Sequence, residues 1–291
     1  MPHGIDHIVH AVRNLDAAGA LYRRLGFTVG ARNRHDWGTH NLIVQFKTAF
    51  VELLEIGEPE KIPPHQGRFF SFGAFNRDYI RAREGFSMLV GKSFNALEDA
   101  ASFAASGISD FDVFDFAREG KRPDGSPVKV AFSLAFARDP PSPNAGFFVC
   151  QQHHPENFWN PEFQRHANGT TAIPAVMMVA DNPADHASFL KAFTGAGDLQ
   201  ASSAGVTAHT ENGDFAIVSP AAFRDQFGVA PQVNGKEMTL NAIRFAVADL
   251  GRADACLAAG GIKPRMHGGR LVVPPDAAFG ATLIFEAANK A

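Results

Sequence analysis

The residues best suited to chemistry gather near the start of the chain. His7 stands in the run Ile5-Asp6-His7-Ile8-Val9-His10-Ala11-Val12, and Glu52 in Ala49-Phe50-Val51-Glu52-Leu53-Leu54-Glu55-Ile56. An imidazole and a carboxylate can share proton transfer or hold a divalent ion. Glu52 would serve as a base if burial raised its pKa. Between them lies a loop crowded with donors: Arg32, Arg34, His35, Trp37, Thr39, His40 and Asn41. Such a loop suits an anionic or carbonyl ligand, although loops are polar in any case. Trp37, one of two tryptophans, either packs under the loop or stacks on a ligand. Gln151 and His153 would share one strand face and are candidates to complete the set. His153 and His154 point to opposite faces, and Pro155 ends the strand there. Cys150, beside Phe148 and Val149, reads as a buried, inert thiol. His186, within a helix, and His267, in a Gly-rich turn, read as solvent-facing.

The elements that carry these residues follow one phrase. An apolar strand meets a capping residue, then an Ala-rich helix, a glycine stop and further strands. The phrase opens near residues 5, 86, 173 and 240. In the first copy, Leu15, Ala18, Leu21, Tyr22 and Leu25 recur at helical spacing and Gly26 closes the helix. The second runs from Gly85, through a helix over Asn95 to Ser106 and a turn at Arg122-Pro123-Asp124-Gly125, to the strand ending Cys150-Gln151-Gln152. In the third, Asp181-Asn182-Pro183 caps a helix through Phe193. In the fourth, Asp249-Leu250 leads into a helix ending at Gly260-Gly261. Residues 59–83 read as an irregular connection or a short inserted helix. The pattern predicts an α+β protein of four βαβββ units in two halves, with helices on one face of antiparallel-rich sheets. The halves are residues 1–160, holding units at 4–57 and 85–152, and residues 170–291, without a site of their own.

Composition narrows the function. The 291 residues are 45% hydrophobic and 20% charged, an ordinary globular mix. A net charge of −3 leaves no footprint for nucleic acid or an anionic membrane. Two cysteines, with no CxxC, argue against a disulfide framework, and the opening lacks the pattern of a signal peptide, so a cytoplasmic protein is expected. The 27 phenylalanines pack a core or line an apolar ligand pocket. No GxSxG, HExxH or zinc-finger spacing occurs.

Asp6-His7-Ile8-Val9, Leu21-Tyr22-Arg23-Arg24-Leu25-Gly26-Phe27 and Val51-Glu52-Leu53-Leu54-Glu55 resemble the opening module of the vicinal oxygen chelate superfamily. Within it, the chain is similar to the glyoxalase-like domain proteins. The superfamily includes glyoxalase I, extradiol dioxygenases, methylmalonyl-CoA epimerase and antibiotic-resistance binding proteins. The resemblance implies paired βαβββ modules round a cleft. It also implies a divalent metal (Zn, Ni, Mn or Fe) whose ligands would be His7 and Glu52. The later units depart from the pattern: Phe86, Pro174 and Ala242 stand at the expected His positions. Cys150 or Gln151 replaces the second Glu, and Glu286 lies near the fourth. Loss of the two-His, one-Glu set argues against ring cleavage. The resemblance implies lyase, isomerase or epimerase chemistry beside a carbonyl, with His7 and Glu52 catalytic. Trp37, Thr39, Asn41, Arg34, Gln151 and His153 are then expected to contact a small-molecule substrate. The alternative is a non-catalytic protein that binds a hydrophobic compound. Either a monomer or a homodimer is compatible, and in relatives dimerisation often completes the cleft.

Overall fold

Asn14, Asn95, Asn182 and Asp249 each head a helical turn. Their separations are 81, 87 and 67 residues (95−14, 182−95, 249−182). The computed structural model of the chain describes residues 2–121 and 127–288. The turn expected at 122–125 lies outside the described residues.

The first half comprises β1 (Ile5–Ala11), α1 (Leu15–Arg24), β2 (Asn33–Arg34), β3 (Thr39–Gln45), β4 (Phe50–Ile56), α2 (Phe72–Ala82), β5 (Gly85–Ser93), α3 (Ala96–Ala105), β6 (Phe114–Lys121), β7 (Pro127–Ala137) and β8 (Gly146–Gln152). After the short α4 (Pro155–Phe158) come β9 (Thr170–Val179), α5 (Ala187–Thr194), β10 (Gln200–Ser202), β11 (Gly205–Ala208), β12 (Asp214–Val218), α6 (Pro220–Phe227), β13 (Thr239–Val247), α7 (Leu250–Ala259), β14 (Arg265–His267), β15 (Arg270–Val273) and β16 (Thr282–Ala287). Two eight-stranded sheets result, ordered β2-β3-β4-β1-β5-β8-β7-β6 and β10-β11-β12-β9-β13-β16-β15-β14. In each, two parallel pairs flank a central antiparallel pair, β1 with β5 and β9 with β13.

Local chemistry sets the helix ends. The side chains of Asn14, Asn95 and Asp249 accept backbone N–H groups of the first turn, which would otherwise be unpaired. Gly26 follows α1 at φ +86°, where a Cβ would also strike Cys256 Sγ at 2.4 Å. α1, α3, α5 and α7 share one buried core with a face of each sheet. Phe27 meets Phe245 with ring centroids 5.0 Å apart, and Phe147 meets Phe189 at 4.7 Å. A polar pin joins the halves as well: His186 Nδ1 lies 2.7 Å from Asp139 Oδ2, both buried. His186 is therefore not solvent-facing as expected, because its turn packs against the β7–β8 connection. His267 is half-buried, with Nε2 2.9 Å from the Asp225 carbonyl. Among the described residues, no helix is long and apolar enough to cross a membrane.

The opposite faces of the two sheets differ. In the first half, β1, β4, β5, β7 and β8 present Val9, Leu54, Met88, Val90, Phe132, Leu134, Phe148 and Cys150, with α2 alongside through Phe72. In the second, α6 lies across the sheet and drives Phe223 and Phe227 into it. The Ser219-Pro220 start and the four-residue spacing of the two phenylalanines were sufficient to indicate α6, yet sequence reading left residues 220–239 unassigned.

Candidate functional site

The first sheet curls until its edges meet. Trp37, in the turn before β3, touches Phe116 of β6 on the far edge at 4.9 Å between centroids. The curl forms a partly open cavity. Its walls are aromatic: Trp37, Phe50, Phe72, Phe116, Phe132, Phe148 and Phe158. Strand alternation places His7 of β1, Asn41 of β3 and Glu52 of β4 in it together.

Each polar group is held from behind. His7 Nδ1 donates to Asp6 Oδ1 at 2.6 Å, and Gln152 Nε2 donates to Asp6 Oδ2 at 3.0 Å. The His7 ring stacks on Phe50, with centroids 4.2 Å apart. On its other side, His7 Nε2 faces Glu52, 3.8 Å from Oε2. Asn41 Nδ2 donates to Glu52 Oε1 at 2.5 Å, and Asn33 Nδ2 fixes the Asn41 carbonyl at 2.9 Å. Burial pushes the Glu52 carboxyl above its ordinary pKa of 4.5, against the opposing pull of His7, the Asn41 bond and Arg118. His35, stacked on Trp37 at 4.5 Å, is driven down to about 3 by burial and by Arg118 and His40, and is neutral. Its Nδ1 bonds Thr39 Oγ1 at 2.8 Å.

The expected residues divide. His7, Glu52, Trp37 and Asn41 line the cavity together. Thr39 is buried behind it and positions His35. Arg34 is exposed, because β2 turns its side chain to solvent. Gln151 is on the helix face, where its Oε1 accepts the Ala96 N–H at 3.0 Å. His153 shares that outward side: its Nε2 is 2.7 Å from Ser133 Oγ, whose hydroxyl donates to Asp115. Neither can complete a set with His7 and Glu52, because the cavity-facing members of β8 are Phe148 and Cys150. The thiol of Cys150 is pushed up by burial, as an inert buried cysteine would be. Arg118, on β6, lines the cavity and was missed. The available signal was its phase, two residues beyond Phe116 and four beyond Phe114.

The later units need a corrected register. Seven residues before each helix-heading residue stand His7, Met88, Ala175 and Ala242. Met88 and Ala175 therefore replace Phe86 and Pro174. Phe86 lies on the helix face against His10, beyond a bulge in the β1–β5 pairing. Glu52 pairs opposite Val9; the matching positions are Phe148 opposite Val90, Ala216 opposite Met177 and Ile284 opposite Arg244. Glu286 is two residues further on, held by Arg244 at 2.7 Å and Arg270 at 2.9 Å.

As a metal centre the set is half complete. His7 and Glu52 converge, but the two facing positions are a thioether and a phenyl ring. No group of three or more His, Cys, Asp or Glu residues is placed to hold an ion among the described residues. The residues present do not fit a resident ion of the three-ligand kind.

The comparisons agree with this architecture. The chain belongs to the glyoxalase-like domain family, whose model matches residues 5–194. Its fold is that of the vicinal oxygen chelate proteins. A hypothetical protein from Staphylococcus aureus superposes with a TM-score of 0.67 at 13% identity, covering 98% of this chain and 99% of that one. A Mn(II)-bound glyoxalase from Novosphingobium aromaticivorans gives 0.55 at 13% identity, covering 98% and 81%. A mutant 4-hydroxymandelate synthase from Streptomyces coelicolor gives 0.55 at 11%, covering 99% and 94%. At these identities the likeness is one of fold. No curated protein matches the chain significantly.

Proposed function

We propose that the protein is a small-molecule enzyme of the isomerase, epimerase or lyase type, working by proton transfer at a carbon beside a carbonyl. The observation that carries this reading is Glu52: a carboxylate on the cavity floor, raised in pKa by burial and aligned by Asn41, with His7 Nε2 3.8 Å away. A carboxylate so raised is a stronger base toward a carbon acid than one in water. Glu52 takes the proton from carbon and the substrate becomes an enolate. His7, held by Asp6, then receives or relays that proton, which returns to a different position. No net oxidation occurs. The aromatic walls admit an apolar substrate and keep water from the enolate.

A divalent ion (Zn, Ni, Mn or Fe) on His7 and Glu52 is the competing reading. Their convergence favours it, as does the Mn(II)-bound glyoxalase that shares the fold. It would supply Lewis-acid stabilisation of the enolate oxygen. The missing third ligand weighs against it. A non-catalytic carrier of apolar compounds would have the same walls but no use for a raised, aligned carboxyl.

The test is proton exchange. Aryl ketones and aryl hydroxyketones are incubated with the protein in D₂O and followed by ¹H NMR. Exchange beside the carbonyl is expected with the wild type and lost with Glu52→Gln. Binding without exchange across the panel, or equal exchange by Glu52→Gln, would overturn the proposal.

A further inference from the structure

Arg118 places a fixed positive charge among the aromatic walls of the cavity. β6 alternates so that Phe114, Phe116 and Arg118 share the inner face. Phe116 stacks on Phe132 at 5.0 Å and meets Trp37 edge-on at 4.9 Å, so the base of the guanidinium's strand is fixed by rings. Arg118 itself is half-buried and makes no ion pair among the described residues. Its strand neighbours Asp115 and Glu119 occupy the opposite face, and Asp115 is taken by the Ser133 hydroxyl. Glu52 acts on Arg118 through space without touching it. A partly desolvated guanidinium that touches no carboxylate among the described residues is costly unless a ligand supplies one. The planar fork matches a carboxylate, with two parallel N–H···O bonds.

Taking the Glu52 cavity as the active site, we infer that its substrate is a carboxylate anion on an aromatic or similarly flat apolar body. The carboxylate meets Arg118, and the body lies between Trp37, Phe116 and Phe132. That arrangement leaves the reacting carbon toward Glu52. Arg118 is then the residue that sets specificity for charge, and His35, neutral beside it, adds no competing cation.

The experiment compares a matched pair, 3-phenylpropionate and 3-phenylpropionamide, by isothermal titration calorimetry. The wild type, Arg118→Met, Arg118→Lys and Glu52→Gln are used, each checked for folding by circular dichroism. The wild type is expected to favour the carboxylate by about tenfold or more, the size of one charge-assisted contact. Arg118→Met should lose that preference while holding the amide as before, and Arg118→Lys should keep part of it. Glu52→Gln should still bind the carboxylate, although it fails in proton exchange. The inference is therefore separable from the catalytic reading: loss of exchange alone leaves it standing. It is overturned if Arg118→Met keeps the preference, or if the wild type prefers the amide or binds neither compound.

Discussion

The two halves share a strand order and differ in what covers the inner face of the sheet. Each places a helix after the last strand of its leading unit. In the first half, α2 starts after a 15-residue connection, 57–71, and packs to one side through Phe72, Tyr79 and Ile80. In the second, one residue, Ser219, separates β12 from α6. That short tether leaves α6 no route to the rim, so Phe223 and Phe227 pack against Ala175, Ala216, Ala242 and Ile284. Those four are the positions held in the first half by His7, Glu52, Met88 and Phe148. Where a helix fills the cavity, the matching residues are alanines and an isoleucine. Where the cavity is open, the buried polar pair persists. Burying such groups is costly, and this cost is what makes the open half the proposed site.

The largest expected effect is catalytic. Glu52→Gln should lower turnover by about 10²- to 10⁴-fold. Ala216→Ser, at the matching place in the filled half, should leave turnover unchanged in the same assay. A loss from Ala216→Ser would break the comparison. Next is packing. Phe227→Ala should cost about 3–5 kcal/mol in urea unfolding, because the ring is fully buried against the sheet. The same change at Phe116, which is half-buried at the cavity wall, should cost much less and weaken ligand binding instead.

His10 tests the joint between the halves. Its Nδ1 accepts the Tyr22 hydroxyl at 2.9 Å, and its Nε2 donates to the Phe279 carbonyl of the second half at 3.0 Å. Burial lowers its pKa from 6.5 to about 4. The unfolded chain takes up a proton below 6.5, while the fold refuses it until about 4. Stability is therefore full above 6.5 and is lost as pH falls toward 4, by about 3 kcal/mol. His10→Gln should flatten that slope by about one proton in urea titrations across pH 4 to 7.

The smallest effect has the opposite sign. Unfolded Glu52 ionises near 4.5, and the folded carboxyl holds its proton to higher pH. Folding stability therefore falls as pH rises past 4.5. Glu52→Gln should raise the Tm at pH 8, and the gain should vanish near pH 4.

Much of this was legible in the sequence because its signals are local. Caps and glycine stops sit within one helix turn of what they define, so the four-unit order and the α+β class followed from them. His7 and Glu52 stood out because each is a polar residue among strand-forming apolar ones. The later registers were displaced because they were counted from apolar starts, and a bulge between Val9 and His10 shifts the pairing. Caps give the correct count. The Asp139–His186 pin joins residues 47 apart with no local pattern between them. Arg118 was hidden for another reason: its function depends on edge strands meeting, which alternation along one strand does not report.

Whether burial poises the Glu52 carboxyl can be measured without a substrate. ¹³C NMR of carboxyl-labelled glutamate, with Glu52 assigned by its absence in Glu52→Gln, gives its titration directly. A midpoint clearly above 4.5 is the expected result. A midpoint at or below 4.5 would mean that Glu52 is an ordinary carboxylate and not a poised base.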